Sequence, residues 1–135
     1  MPLVVGLKNL LDVVVTEALA VDFLNCPKAR VLGTAQMIYH MEITARNSVL
    51  PYLPQGQDTV GTYVELHHTA ATPIGMRVVF RSELIEFEGT RLRFFVAAAD
   101  DVDQISHGIH ERRIIDVERF AARVAAKGED DPAIE

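Results

Sequence analysis

Thr59-Val60-Gly61-Thr62-Tyr63-Val64-Glu65-Leu66-His67-His68-Thr69-Ala70-Ala71-Thr72-Pro73-Ile74-Gly75 carries two histidines side by side at the end of an alternating run. Val60, Val64 and Leu66 fall at every second place, the period at which a strand sends alternate residues to one face. His68 continues that inward row. His67 falls in register with Gly61, Tyr63 and Glu65, the more polar set, and is expected to face outward. An imidazole at the end of a buried row, where the chain turns through Thr72-Pro73-Ile74-Gly75, is well placed for acid/base chemistry. Taken alone, the stretch fits a core histidine bonded to a backbone carbonyl better than a catalytic one.

Around this strand, 135 residues make one domain with a modest core. Hydrophobic residues at 49% and charged residues at 24% are ordinary for a folded soluble chain. The apolar start, Met1 to Leu11, has no charged lead and no small-residue cleavage signal, so a cytoplasmic protein is expected, with no membrane partner. The net charge is −6 and the basic residues are dispersed. Phosphate neutralisation needs a clustered basic surface, which argues against nucleic acid. Cys26 is the single cysteine and reads as a bystander in a loop. No His or Cys spacing supports a metal site, and no cofactor is expected.

Residues 1 to 11 read as an irregular or partly helical lead-in, and the β-branched run Leu11-Asp12-Val13-Val14-Val15-Thr16 as a strand. Ala18 to Arg30, broken by Asn25 and Pro27, is a crossing segment that could form a lid. From about Leu32 to Leu50 the pattern is helical, with Ala35, Ile38, Ala45 and Val49 drawing an apolar stripe that includes Glu42. A carboxylate on such a stripe must find a partner or change its protonation. Pro51, Pro54 and Gly56 end the helix. Strands follow at Met76 to Phe87 and Thr90 to Ala99, joined by a hairpin at Glu88-Gly89, and at Gln104 to Ile115. Asp116 caps a short amphipathic helix built on Val117, Phe120, Ala121 and Val124. The domain is placed at residues 1–127 and an acidic, frayed tail at 128–135.

A long striped helix needs a sheet to cover it, so the fold class is α+β, an antiparallel sheet around one central helix. An exposed sheet edge invites pairing with a second copy, and a homodimer is expected.

Thr34, Glu42 and His68 together supply a hydroxyl, a carboxylate and an imidazole, the parts of a hydrolytic centre. The order of elements is similar to the hotdog fold. Within it the chain resembles the fluoroacetyl-CoA thioesterase family. The resemblance rests on His68-Thr69-Ala70-Ala71-Thr72-Pro73 with Gly75, on Gly61 ahead of it, on Thr34 before Met41-Glu42, on Pro51-Tyr52-Leu53, and on His110-Glu111-Arg112. It implies a hydrolase that releases a carboxylic acid from an acyl-CoA, coenzyme A being part of the substrate. It also implies Thr34, Glu42 and His68 as catalytic residues, and Gly61 and Arg112 as substrate-binding ones. Glycine at 61 would let a thioester carbonyl approach the backbone; Arg112 is as readily paired with Glu111 or Asp116.

The segment Asp22-Phe23-Leu24-Asn25-Cys26-Pro27-Lys28-Ala29-Arg30 is shorter than the family's phenylalanine-bearing lid. It weakens the expectation of fluoroacetyl selectivity and leaves thioester hydrolysis in place. Met37, Ile38 and Met41 suggest an apolar wall for a small or medium acyl group. Two other readings are an enoyl-CoA hydratase or dehydratase of the same fold, and a non-catalytic acyl-binding domain. On one straight helix Thr34 and Glu42 would lie about 12 Å apart. Either Thr34 precedes the helix, or the site is shared between two protomers.

Overall fold

The structure is a computed structural model that describes residues 2–22 and 25–129. Strand β1 (Lys8–Val14) leads through two 3-10 turns, Glu17–Leu19 and Pro27–Ala29, to helix α1 (Thr34–Val49). After a 3-10 turn at Leu50–Tyr52 come β2 (Gln57–His68), β3 (Arg77–Glu88), β4 (Arg91–Ala99), β5 (Gln104–Asp116) and helix α2 (Val117–Glu129). The strands form one antiparallel sheet in the order β1-β3-β4-β5-β2.

The bounds and order of the elements differ from expectation in three places. The lead-in is strand from Lys8, because Lys8, Asn9 and Leu10 pair with Glu83, Ser82 and Arg81 of β3. The four later strands are not a simple meander, since β2 pairs with β5 and leaves β3 to lie beside β1. And α2 continues to Glu129, two residues beyond the expected domain end; the rest of the tail, 130–135, lies outside the described residues, as do Phe23 and Leu24 of the crossing segment. The β3–β4 hairpin and the helix end at Val49 follow the sequence, with Gly89 at φ +61° where the turn needs the left-handed region. Asp116 also caps as expected, its carboxylate accepting the Arg119 N–H at 2.9 Å.

The core lies between α1 and the inner face of the sheet. Met37, Met41, Ala45 and Val49 from the helix meet Phe80 and Leu84 of β3, Phe94 and Val96 of β4 and Ile105 of β5, all essentially sealed from solvent. The buried stripe of α1 is therefore Met37, Met41, Thr44, Ala45, Ser48 and Val49, while Ala35 is exposed. The helix is rotated relative to the sequence reading because its two methionines, not its alanines, bury the greater apolar area. Glu42 then sits at the margin of the stripe, its side chain 38% exposed, not in the core.

Candidate active site

The histidine pair separates as the alternation predicts. His68 turns inward and half-buried, while His67 faces solvent and stacks on His107 of β5, with ring centroids 5.0 Å apart. The rest of β2 departs from a single alternating row. The register shifts between Gly61 and Tyr63, a β-bulge that leaves Thr62 extra. Before the bulge Thr59 and Gly61 face the helix; after it Val64, Leu66 and His68 do. Gly61 was expected on the outer face, and the bulge is why it is not: a Cβ there would lie 2.5 Å from Glu42 Oε2 and 3.4 Å from His110 Cε1.

Thr34 is the first residue of α1 and reaches His68, with Oγ1 2.8 Å from Nδ1. The turn after His68 brings this pair together. Thr72 is fully buried; its hydroxyl donates to Asp100 Oδ2 at 2.8 Å, and its carbonyl accepts the N–H of Leu32 at 2.9 Å. Val31 bridges to Pro73, and the Gly33 N–H donates to the Leu19 carbonyl at 2.9 Å. The chain that enters α1 is thus tied to the chain that leaves β2. Burial pushes the Asp100 carboxyl up, but the N–H groups of Asp103 and Val102 and the Thr72 hydroxyl outweigh it and hold it below its ordinary value. Thr72→Val keeps the shape and deletes the donor, so it should cost about 1–3 kcal/mol in a urea unfolding measurement.

Glu42 makes a separate cluster. Its Oε2 accepts from Arg112 Nη1 at 3.2 Å. Arg112 pairs with neither candidate considered from sequence. Glu111 is taken by Arg91 and Arg93 on the outer face, and Asp116 caps α2. The buried Arg112 side chain instead points to the helix. Its Nε donates to Thr59 Oγ1 at 2.7 Å, its Nη2 to the Thr59 carbonyl at 2.9 Å, and its Nη1 also meets His110 Nε2 at 3.2 Å. Burial pushes the guanidinium down from its ordinary value, and Glu42 opposes the shift. Thr59 and His110 were not singled out as site residues by the sequence reading. A signal existed in His110-Glu111-Arg112, where a strand's alternation puts His110 and Arg112 on one face.

Thr34 belongs to the helix, so it does not fold back towards Glu42. Eight residues along α1 place the two about 12 Å apart. Within one protomer the structure brings Thr34 to His68 and Glu42 to Gly61 and Arg112, and leaves the two groups apart. His68 Nε2 is buried without a hydrogen-bond partner among the described residues. Ile38, Met41, Val64 and Leu66 line a shallow apolar depression between α1 and β2 that also touches Glu42 and His110.

A five-stranded antiparallel sheet packed on one long helix, with a hydroxyl–imidazole pair at the helix start, defines a thioesterase of the hotdog class. The chain belongs to the fluoroacetyl-CoA-specific thioesterase family FlK, which it matches over residues 15–118. It is 42% identical over 106 residues to the fluoroacetyl-CoA thioesterase of Streptantibioticus cattleyicolor, an alignment covering 78% of this chain and 75% of the relative. A solved structure of the fluoroacetyl-CoA thioesterase FlK superposes with a TM-score of 0.86 at 37% identity, covering 94% of this chain and 98% of that one. A thioesterase superfamily member from Thermus thermophilus gives 0.86 at 32% identity and 95% coverage of each chain.

Proposed function

We propose that this thioester hydrolase acts on acyl-CoA with a small or medium acyl group, at a site completed by a second copy of the chain. Acyl-CoA thioester hydrolysis is the activity that the family membership supports. The observation that carries the shared site is the division of the catalytic set: Thr34 and His68 bonded at one end of α1, and Glu42 two turns further along it. The buried, unpartnered Nε2 of His68 calls for an acceptor that its own protomer does not supply. β2, which carries His68, is an edge strand of the sheet, and its inward Val64 is 41% exposed. A second copy laid along this edge would cover Val64 and bring its Glu42 towards His68.

On this reading Thr34 donates its O–H to His68 Nδ1, so Nε2 carries the other ring proton and donates to the partner's Glu42. As Thr34 Oγ1 attacks the thioester carbonyl, Nδ1 takes its proton. The C–S bond then breaks, and that proton leaves with CoA as the free thiol. Water, deprotonated by the same imidazole, releases the acid from the threonine ester and restores the hydroxyl. Gly61 leaves room for the carbonyl beside Glu42, and the remaining N–H of Arg112 Nη2 is available to substrate. The apolar side chains of Ile38 and Met41 beside Glu42 would form one wall against the acyl chain. No helix among the described residues is long and apolar enough to cross a membrane, and the reading places the enzyme in the cytoplasm.

The experiment is a panel of acyl-CoA esters of increasing chain length, fluoroacetyl-CoA included, followed by thiol release. Free CoA thiol should appear with short and medium chains and fall away with long ones. An enoyl ester that gained water without thiol release would favour a hydratase, and binding without turnover an acyl-binding domain.

A further inference from the structure

We infer that His110 is a positioning residue, acting through Arg112 to hold the Glu42 carboxylate in place. The inference rests on the reading of Glu42 given above.

His110 is 2% exposed, on β5 beside its cross-strand partner Phe94. Its Nδ1 lies 2.8 Å from the Tyr63 carbonyl oxygen. A carbonyl only accepts, so Nδ1 carries the hydrogen and Nε2 presents a lone pair. Arg112 only donates, and its Nη1 at 3.2 Å fills that lone pair. The tautomer follows from the two partners and is neutral. A second proton on the ring would set an N–H against a guanidinium N–H. The charged groups facing the ring are Glu42 from α1 and Arg112 from its own strand, with the Tyr63 carbonyl from β2; Glu111 acts on it from the outer face of the sheet. Burial first, then Arg112, hold the imidazole below its ordinary value despite the Tyr63 bond and the two carboxylates.

A histidine that only filled the core would need the Tyr63 bond and nothing more. The second bond makes it a stop for Arg112. Thr59 holds one edge of the guanidinium through Nε and Nη2, and His110 holds the other through Nη1. With both edges fixed, the second hydrogen of Nη1 has one direction left, towards Glu42 Oε2 at 3.2 Å. The bulge at Thr62 is part of the device. By shifting the register it places the Tyr63 carbonyl against His110 and the Gly61 backbone beside Glu42. Charged groups are held within small tolerances by supporting shells of this kind.

His110→Phe keeps a buried ring and deletes the acceptor; His110→Gln supplies an amide oxygen near the place of Nε2. In thioester cleavage, His110→Phe should lower kcat about ten- to a hundredfold with KM changed less than about twofold, and His110→Gln should recover most of it. In a Glu42→Ala background the same His110→Phe change should cost less than about twofold, because the group it positions is gone. Thr59→Val removes the hydroxyl half of the other anchor, leaving the Thr59 carbonyl on Nη2, and should show a smaller loss with the same dependence on Glu42, which keeps the test open if His110→Phe does not fold. Equal losses in both backgrounds, or loss of activity tracking loss of Tm alone, overturn the inference and leave the reading of Glu42 intact. A Glu42→Ala enzyme as active as the parent overturns both.

Discussion

Replacing His68 with alanine is expected to lower kcat by about 10²- to 10⁴-fold, the range a positioned general base supplies. The residue touches the Thr34 hydroxyl directly, at 2.8 Å, and is the only group doing so among the hydrogen bonds of the described residues. Without it the hydroxyl keeps its own high pKa and attacks poorly at neutral pH. Stability should change little by comparison, since the side chain is only half-buried and the turn behind it is held by Thr72 and Asp100. The neighbouring His67→Ala is the control. Its ring stacks on His107 on the outer face, away from Thr34, so kcat should stay within about twofold of the parent. A damaging His67→Ala beside a silent His68→Ala would reverse the assignment of the two faces of β2.

On the proposed mechanism, Glu42→Ala is expected to lose activity on the same order, toward the low end of about 10² to 10⁴, because there it would remove the acceptor for the imidazole proton. Its sharper consequence comes from mixing. When Glu42→Ala and His68→Ala chains are co-expressed, random pairing makes half the dimers mixed. If His68 of one protomer works with the partner's Glu42, each mixed dimer holds one site with both residues intact and one with neither. About a quarter of parental activity should then return from two nearly inactive parents, with each chain carrying its own defect throughout. No recovery in a sample shown to contain mixed dimers would place the whole site in one protomer. Full activity in a monomeric variant would have the same effect. The structure makes this a sharp alternative: Thr34 and Glu42 are fixed to one helix, and the helix is too regular to bring them together.

Much of the molecule follows from local pattern. The β3–β4 hairpin is written in a glycine at a left-handed turn between two alternating runs, and Asp116 is a cap whose acceptor is a few atoms from the N–H it satisfies. The separation of His67 from His68 needs only the two-residue period near the end of β2, where no irregularity intervenes. The same period misplaces Gly61. One extra residue at Thr62 inverts the faces upstream of it, and a bulge is stabilised by what lies across the strand, here the Tyr63 carbonyl against His110. The phase of α1 failed for a related reason. Ala35, Ile38, Ala45 and Val49 and the set Met37, Met41, Ala45 and Val49 differ by a small rotation, and the sheet beneath chooses between them.

By itself, then, the sequence determined what depends on neighbours in the chain: the order and type of the main elements, the face of His68, and through its motifs the family and its chemistry. The tertiary structure alone decided that β2 crosses to pair with β5, that Thr72 ties the start of α1 to the turn after His68, and that Arg112 reaches Glu42 instead of Glu111 or Asp116. Each joins residues 28 or more positions apart. Contacts of that span are selected by the burial of the whole core and by the rule that a buried donor or charge must find a partner, and no window of local sequence contains either condition.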